Sequence, residues 1–326
     1  MTDTKPKAAG WQIAKACGIA ALWAIGCFFF VEWARPDSGV VSVSFTIIQP
    51  AAICAFIAYV GDPLGTRSRR YYALVPLVSG AGMVLVSVFV LQEGAVCIAM
   101  LAPLWILFGM AGTLFTWMLR DQNGEDNVAD TFAAHGLLVL PMIALFVETT
   151  LTPPIAHYTV TDEVVIDAPA EEIWPLMQGM GHVDPDAGQW NISQSVIGIP
   201  RPRFAQLDGK GVGARRHARW DRGVYFDEVV DRWEPGRNIG WQFDFTQSDG
   251  WDITDPHLRP DGPYMRIQSG GYELEPLPDG RHLLRLHTTY AAQTHFNGYA
   301  ALWGDLFLGD IQANVLEVIR QKAEGR

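Results

Sequence analysis

The 326-residue sequence is poor in charged residues and has no basic excess in either half. Only 18% of the residues are charged, against 49% that are hydrophobic, which is too apolar for an ordinary soluble protein or a disordered one. Before residue 150 there are 8 Lys and Arg against 10 Asp and Glu, and after it 16 against 25. Neither half has the basic surface that nucleic-acid binding requires, so we expect no nucleic-acid partner.

The sequence also lacks the motifs of metal, nucleotide and nucleophile chemistry. Its four cysteines lie in apolar runs, form no CxxC pair and have no His or Asp at metal-ligand spacing; they are Cys17, Cys27, Cys54 and Cys97. No Gly-x-Ser-x-Gly, P-loop or dinucleotide fingerprint occurs. The sequence therefore predicts no metal and no cofactor, and it assigns no catalytic residue.

Long apolar stretches dominate the first 150 residues. Each approaches or exceeds the roughly 20 helical residues that cross a bilayer. The five stretches are 16–31, 41–60, 72–91, 95–119 and 131–147. No small-residue cleavage site follows the first, so we interpret it as a retained anchor and not a signal peptide. Residues 1–150 are thus predicted to form a transmembrane domain of about five helices, surrounded by membrane lipids and open to a partner subunit in the membrane.

Lysine and arginine residues near the span ends predict the orientation. One side carries Lys5, Lys7, Lys15, Arg67, Arg69, Arg70 and Arg120. The opposite loops carry only Arg35. Because positive flanks stay in the cytoplasm, we expect a cytoplasmic N-terminus and, after five crossings, a periplasmic C-terminal domain at a bacterial inner membrane. The fifth stretch is short and holds His135 and Pro141. If it does not cross, the C-terminal domain lies in the cytoplasm instead.

Polar residues are rare inside the predicted spans, and Gln49 and His135 are the clear cases. A polar side chain in lipid costs free energy unless it is paired. Gln49 precedes Pro50, whose missing N–H leaves a backbone carbonyl without a donor, and we expect the Gln49 amide to bond that carbonyl. With no chain of intramembrane carboxylates, the sequence indicates neither a pump nor a channel.

A linker rich in proline and threonine at 151–157 separates this half from a second pattern, in which apolar and polar residues alternate. Predicted strands cover 159–166, 211–220, 223–233, 238–245, 264–277 and 282–292. Glu171 and Glu172 open a helix, and helical spacing of apolar residues predicts a long helix over 299–323.

Two segments carry a resemblance to a known family. Val164-Val-Ile-Asp-Ala-Pro-Ala-Glu-Glu-Ile-Trp-Pro-Leu-Met177 resembles the opening strand and helix of the START-like, or SRPBCC, superfamily, which includes the polyketide cyclase and dehydrase group. The segment from Phe226 to Arg237, followed by Trp241, is similar to the family's central strand pair. The resemblance covers residues 158–326 and implies a helix-grip fold, in which a curved antiparallel sheet surrounds a long C-terminal helix and encloses an apolar cavity. The fold class expected of the whole chain is an α-helical transmembrane domain plus an α+β helix-grip domain.

Strand alternation selects the residues that would line this cavity, because alternate residues of a strand share one face. The predicted wall is Trp220, Ile239, Trp241, Phe243, Phe245, Tyr272, Leu284, Leu286, Tyr290, Trp303 and Leu306. Plain core packing is the alternative for each of them. Arg215, Arg216 and Arg219 are predicted to form a basic patch at the cavity mouth for anionic headgroups, and the alternative is an exposed strand edge protected by charge.

These expectations favour a membrane-anchored binding module that holds a hydrophobic, lipid-like small molecule. One alternative is a cyclase or dehydratase acting on a membrane-derived polyketide or isoprenoid, with His217, His287 or Tyr290 as acid or base. Another is an interaction domain with a fully packed interior. The family's enzymes use different catalytic residues from one another, so none can be carried over, and the sequence favours binding over catalysis.

Overall fold

The computed structural model describes residues 5–34, 42–62, 65–91, 94–122, 128–148, 150–185, 187–249 and 259–325. They divide into a helical unit that ends at Pro153 and an α+β unit that begins at Pro154. The apolar runs of the first half form helices, and the alternating pattern of the second half forms strands, as the two side-chain periodicities require.

The described part of the helical unit contains α1 (Lys5–Ala34), α2 (Gln49–Gly61), α3 (Arg69–Val86), α4 (Ala95–Gln122) and α5 (Val128–Glu148). A π-helical turn at Ser44–Ile48 precedes α2, and another at Ser87–Leu91 extends α3. Within the described residues, three stretches are long and apolar enough to cross a membrane: Ser44–Gly61, Arg69–Val90 and Ala95–Arg120. The described apolar parts of α1 and α5 are shorter, Ala14–Phe30 and Leu138–Glu148, so five full crossings stay a prediction.

Helix α2 occupies the middle of the helical unit. About 72% of its apolar window is buried, against 22% and 28% for the windows of α3 and α4, which therefore expose apolar side chains. Ile53 and Cys54 of α2 pack in one cluster with Val75 of α3 and Trp105 of α4. At the start of the π-helical turn that precedes α2, the carboxylate of Glu148 accepts hydrogen bonds from the backbone N–H groups of Val43 at 2.6 Å and Ser44 at 2.9 Å. The acidic residue that ends α5 thus satisfies backbone N–H groups at a helix terminus.

Gln49 does not behave as the sequence predicts. Its side chain is 1% exposed, and its amide nitrogen has no hydrogen-bond partner among the described residues. The amide nitrogen is the only donor of the Gln49 side chain, and a carbonyl oxygen needs a donor. The expected bond to the carbonyl freed by Pro50 is therefore not made. The side chain of His135 lies outside the described residues.

The α+β unit is built on a seven-stranded antiparallel sheet with the order β1-β7-β6-β5-β4-β3-β2. The strands are β1 (Ile155–Ile166), β2 (Pro202–Asp208), β3 (Arg215–Trp220), β4 (Tyr225–Glu234), β5 (Asn238–Asp249), β6 (Met265–Pro276) and β7 (His282–Gln293). Helix α6 (Ala170–Gln178) follows β1, and the long helix α7 (Asn297–Ala323) ends the unit. This is the helix-grip arrangement, so the predicted α+β fold class is confirmed.

Local chemistry explains where the element boundaries differ from the sequence prediction. Strand β1 begins at Ile155, inside the predicted linker 151–157, and β2 was not predicted. Strand β3 begins at Arg215 and not at residue 211, because Gly211 and Gly213 have φ values of 86° and 90° and turn the chain before the strand.

Helix α7 packs chiefly on β1 and β7, and also contacts α6. Its C-terminal half supplies Leu316 and Ile319 to the main core, where they pack with Ile239 of β5 and Leu284 of β7. Since β3, β4 and β5 lie further along the sheet from β7, their inner surface is not where α7 packs most closely. The interior therefore has one part next to β1 and β7, where α7 packs closely, and another part over β3, β4 and β5, where it packs less closely.

Candidate ligand-binding site

The predicted wall residues of the strands do face the interior, but they belong to separate clusters. Ile239, Trp241, Tyr272, Leu284 and Leu286 pack in the main core with α6 and α7. Tyr290 packs with Val160 of β1 and Leu308 of α7. Phe245 and Trp220 pack with Phe226, and Phe243 contacts both this cluster and the main core. The wall predicted as one surface is thus divided along the sheet.

Ile239 and Leu284 are core residues and do not line a space. Both are 0% exposed, so no water-sized sphere touches them, from outside or from any interior void. For these two residues the alternative of plain packing is correct. The reason is that the C-terminal half of α7 fills the space above them with Leu316 and Ile319.

The aromatic part of the interior is less tightly closed. Phe243 shares its face of β5 with Trp241 and Phe245, which are 3% and 9% exposed, yet Phe243 itself is only half-buried. Its ring stacks on Phe245 at 5.8 Å between centroids with an interplanar angle of 5°. Trp220 of β3 is half-buried as well. Phe243 and Trp220 are therefore apolar side chains of the inner face that keep some contact with solvent.

Trp303 and Leu306 lie on the N-terminal half of α7, and both are half-buried. Trp303 contacts the rings of Tyr299 at 6.3 Å and Phe307 at 5.4 Å. Among the described residues, neither Trp303 nor Leu306 is part of the clusters that the strand residues form. Tyr299, Trp303 and Phe307 form an aromatic stretch of α7. The prediction that Trp303 and Leu306 belong to the strand wall is not supported by direct packing among the described residues.

The three arginines do not form one basic patch. Arg215 is exposed and bonds Asp227 at 3.2 Å and Asp244 at 3.0 Å, while Arg219 lies over the ring of Phe204 at 5.9 Å. Arg216 is buried, because successive residues of a strand point to opposite faces. The alternative of an exposed edge is also wrong, since β3 lies between β2 and β4.

Arg216 instead forms a buried ion pair inside the grip. Its Nε donates to Glu228 of β4, and both side chains are 7% exposed. Its Nη1 donates to the carbonyl of Met177 at 2.8 Å, and the guanidinium lies 4.1 Å from the ring centre of Trp241. Glu228 was not among the site residues predicted from the sequence. A charged residue between Phe226 and Val230 in the inward alternation of β4 was the available signal.

A second polar group lies where β1, β7 and α7 meet. The Gln312 amide of α7 donates to the Val160 carbonyl at 3.3 Å and to the Thr288 hydroxyl at 2.8 Å. Asp162 shares the inner face of β1 with Val160, and burial together with the charge of Asp310 raises the pKa of its carboxyl group. Asp162 was also missed, although it interrupts the inward apolar series of β1.

Several buried polar atoms on the inner face have no hydrogen-bond partner among the described residues. They are Asp162 Oδ2, Trp241 Nε1, Tyr290 Oη and Gln312 Oε1. Burial, with smaller contributions from Asp305 and Tyr158, raises the pKa of Tyr290 to about 12, so its hydroxyl stays protonated and can donate. An unmade bond of this kind costs roughly 1–3 kcal/mol. The interior is therefore mainly apolar but also contains donors and acceptors that the packing of the described residues leaves unsatisfied.

The two histidines considered as acid or base lie on the outer face. His217 Nδ1 is 2.7 Å from Asp227 Oδ1, and its side chain is 45% exposed. His287 pairs in register with Gly271, where its ring occupies the space that a side chain would fill. Of the three proposed acid-base residues, only Tyr290 faces the interior.

Comparison with known proteins gives structural neighbours but no sequence family. No protein-family model and no curated protein matches the chain. A protein from Mesorhizobium loti is 20% identical with a TM-score of 0.30, covering 51% of this chain and 96% of its own. Truncated norcoclaurine synthase from Thalictrum flavum is 12% identical, with a TM-score of 0.32 and coverages of 52% and 94%. Zhui aromatase/cyclase from Streptomyces sp. R1128 is 14% identical, with a TM-score of 0.32 and coverages of 51% and 94%. Likeness at this level says nothing about activity.

Proposed function

We propose that this chain is a membrane-anchored binding protein whose α+β unit holds a hydrophobic, lipid-like small molecule. The observation that carries the proposal is the half-buried aromatic surface of Phe243 and Trp220 on the inner face of the sheet. Apolar area that stays in contact with water inside a fold is a driving force for binding, at about 25 cal/mol per Å² removed from water.

The guest we propose also carries at least one polar group. Among the described residues, the Tyr290 hydroxyl and the Trp241 indole nitrogen are donors without a partner, and Asp162 Oδ2 is an acceptor without one. A pure hydrocarbon would leave all of them unpaired, whereas a hydroxyl or carbonyl group on the guest would satisfy some of them. An amphiphile fits this lining better than an alkane does.

The membrane anchor is the second part of the proposal. Large apolar side chains are exposed on α3 and α4, among them Leu74, Val78, Leu107 and Leu114. Faces of this kind are unfavourable in water and favourable in lipid. Basic residues gather at one end of these helices, since Arg69 of α3 lies over the ring of Trp117 of α4 at 4.8 Å. This common end is the one we propose to be cytoplasmic.

Native mass spectrometry of the detergent-purified full chain tests the binding proposal. We expect a bound species of lipid-like mass on the wild type, lost from Phe243→Ser and retained by Gln242→Ser. Gln242 is the matched control because it is the next residue of β5 and is exposed on the outer face. A wild type that carries no such mass, even after incubation with a lipid extract, would favour the interaction domain instead.

Topology is tested separately with a reporter fused after Arg326. Activity of a periplasm-specific reporter is expected if five helices cross the membrane and the N-terminus is cytoplasmic. Activity of a cytoplasm-specific reporter would contradict the five crossings and would place the α+β unit on the other side, without bearing on whether it binds a ligand.

A second function, acid-base catalysis, is favoured by one observation. Asp162 faces the interior with a raised carboxyl pKa, which is the environment of a general acid. Lipid extracts incubated with the wild type and with Asp162→Asn should then differ, with a species consumed by the wild type and left unchanged by the variant. Identical extracts, together with a retained ligand in both proteins, would support binding alone.

A further inference from the structure

The helical unit contains a cavity of its own. Its volume is about 490 Å³, and it is lined by residues of α1, α2, α3, α4 and the turn before α2. Ligand sites in proteins commonly measure about 300–1,000 Å³. The cavity lies wholly within the helical unit, so it is separate from the interior of the sheet.

Two side chains that line this cavity carry buried donors without a partner among the described residues. The amide nitrogen of Gln49 and the indole nitrogen of Trp105 have no hydrogen-bond acceptor among the described residues. The side chains are 1% and 5% exposed. Gln49 lies one helical turn after Phe45, whose ring is 6.3 Å from that of Trp105. Both donor side chains therefore belong to the lining of the same cavity.

The chemistry of the lining determines what can occupy the cavity. Alkyl chains of bulk lipid would fill the apolar volume but leave both N–H groups unpaired, which is unfavourable in hydrocarbon. A molecule with an apolar body and a carbonyl oxygen satisfies both requirements, because a carbonyl oxygen has two lone pairs and can accept from two donors.

We propose that the helical unit binds an apolar molecule through its carbonyl oxygen, which accepts hydrogen bonds from Gln49 and Trp105. The carbonyl can belong to a quinone-type ring or to an ester of a glycerolipid. This inference does not depend on the ligand of the α+β unit, because it uses different residues in a different unit.

The test uses the full chain in dodecyl maltoside micelles, a detergent without carbonyl groups, and three probes: a decyl-substituted benzoquinone, dioleoylglycerol, and decylbenzene, which has no acceptor. Gln49→Leu and Trp105→Phe should each weaken binding of a carbonyl probe about fivefold, the usual worth of one net hydrogen bond, and leave decylbenzene unaffected. Preference for the quinone or for the diacylglycerol identifies the source of the carbonyl.

Trp117→Phe is the matched control, since Trp117 is on the same helix and its ring contacts Arg69 instead of the cavity. Gly82→Leu supplies an independent steric test. Gly82 lines the cavity and an added Cβ there meets nothing within 4 Å, so the new side chain should occupy the space and abolish binding of every probe.

Carbonyl probes that bind equally well to the wild type, Gln49→Leu and Trp105→Phe would overturn the proposal. So would a decylbenzene affinity equal to that of the quinone, or binding that survives in Gly82→Leu. None of these results would bear on the α+β unit, whose ligand is followed through Phe243→Ser.

Discussion

The hydroxyl of Tyr290 on β7 lies directly against the backbone of Gly304 on α7. A Cβ atom placed at Gly304 would be 2.2 Å from Tyr290 Oη and 2.6 Å from Cζ. The absence of a side chain at position 304 is what lets α7 pack on this part of the sheet. The close approach of α7 also encloses the Tyr290 hydroxyl, which has no hydrogen-bond partner among the described residues.

We therefore expect Gly304→Ala to destabilise the protein, although alanine favours helix by about 1 kcal/mol over glycine. The overlap with Tyr290 should cost about 1–3 kcal/mol more than that gain. Gly309→Ala is the control, because its Cβ would be 3.6 Å from Asp162 Oδ2, an ordinary contact. Thermal unfolding of the full chain in detergent should give a lower midpoint for Gly304→Ala than for Gly309→Ala, and equal midpoints would contradict the packing described.

Tyr290→Phe separates an unused hydroxyl from one that serves a ligand. Removing an unpaired buried hydroxyl should raise the stability of ligand-free protein by about 1 kcal/mol. If the hydroxyl donates to the guest, the same change should reduce the fraction of protein that retains its ligand in native mass spectra. Higher stability with unchanged ligand retention would exclude Tyr290 from the binding site.

The Arg216–Glu228 pair allows a clear stability prediction. Glu228→Gln leaves a buried guanidinium without its counter-charge, and we expect a loss of about 3 kcal/mol. Arg216→Met combined with Glu228→Leu should recover most of that loss, since two apolar side chains remove both charges. Glu234→Gln is the control: it removes an exposed partner of Arg232 and should change stability by less than about 0.5 kcal/mol. A double variant no more stable than Glu228→Gln would show that the pair contributes more than mutual neutralisation.

Asp162 predicts how stability changes with pH. Its pKa is raised above the ordinary 3.8, first by burial and then by the charge of Asp310, so the folded protein binds this proton more tightly than the unfolded chain. The corresponding stability is present below the unfolded pKa and is lost as pH rises through the folded pKa. Asp162→Asn cannot titrate and should lose less stability than the wild type between about pH 4 and neutrality. Unfolding midpoints across this range measure the difference. Glu163→Gln, an exposed neighbour on the outer face, should follow the wild type.

Close backbone contact between α2 and α4 predicts the effect of a second glycine substitution. A Cβ at Gly112 would be 2.1 Å from the carbonyl oxygen of Ala51, and backbone cannot move aside as a side chain can. Small residues at such crossings permit tight packing of apolar helices. Gly112→Ala should lower the stability of the helical unit by about 2 kcal/mol in detergent titrations. Gly82→Ala, which meets no atom within 4 Å, should not lower it, and an equal loss in both variants would contradict the close contact between α2 and α4.

Much of the fold could be read from periodicity. The inward series Ile239, Trp241, Phe243 and Phe245 was predicted correctly, because strand geometry alone alternates side chains between two faces. The same rule, applied to β3, would have separated Arg216 from Arg215 and Arg219. The patch was predicted because three close charges were treated as a surface cluster, when the alternation already divided them.

Other parts of the site depended on contacts between distant segments. Ile239 and Leu284 were proposed as cavity wall, but Leu316 and Ile319 of α7 cover them completely. Gln49 was expected to bond a local carbonyl, but its amide nitrogen has no partner among the described residues, and the residue lines a cavity between helices. Local sequence could not reveal either outcome, because each is decided by which other element packs there.

The sequence by itself determined the division into an apolar helical half and an alternating β-rich half, the helix-grip fold class, and the inward face of each central strand. The division and the inward faces follow from backbone periods of 3.6 and 2 residues, which act within one element, whereas the fold class was implied by the family resemblance of segments 164–177 and 226–241. Only the tertiary structure decided which inward residues are sealed core, which charges are paired inside, and which donors are left unpaired beside a cavity. Those properties depend on the packing of residues far apart in the chain, for which a single sequence has no local signal.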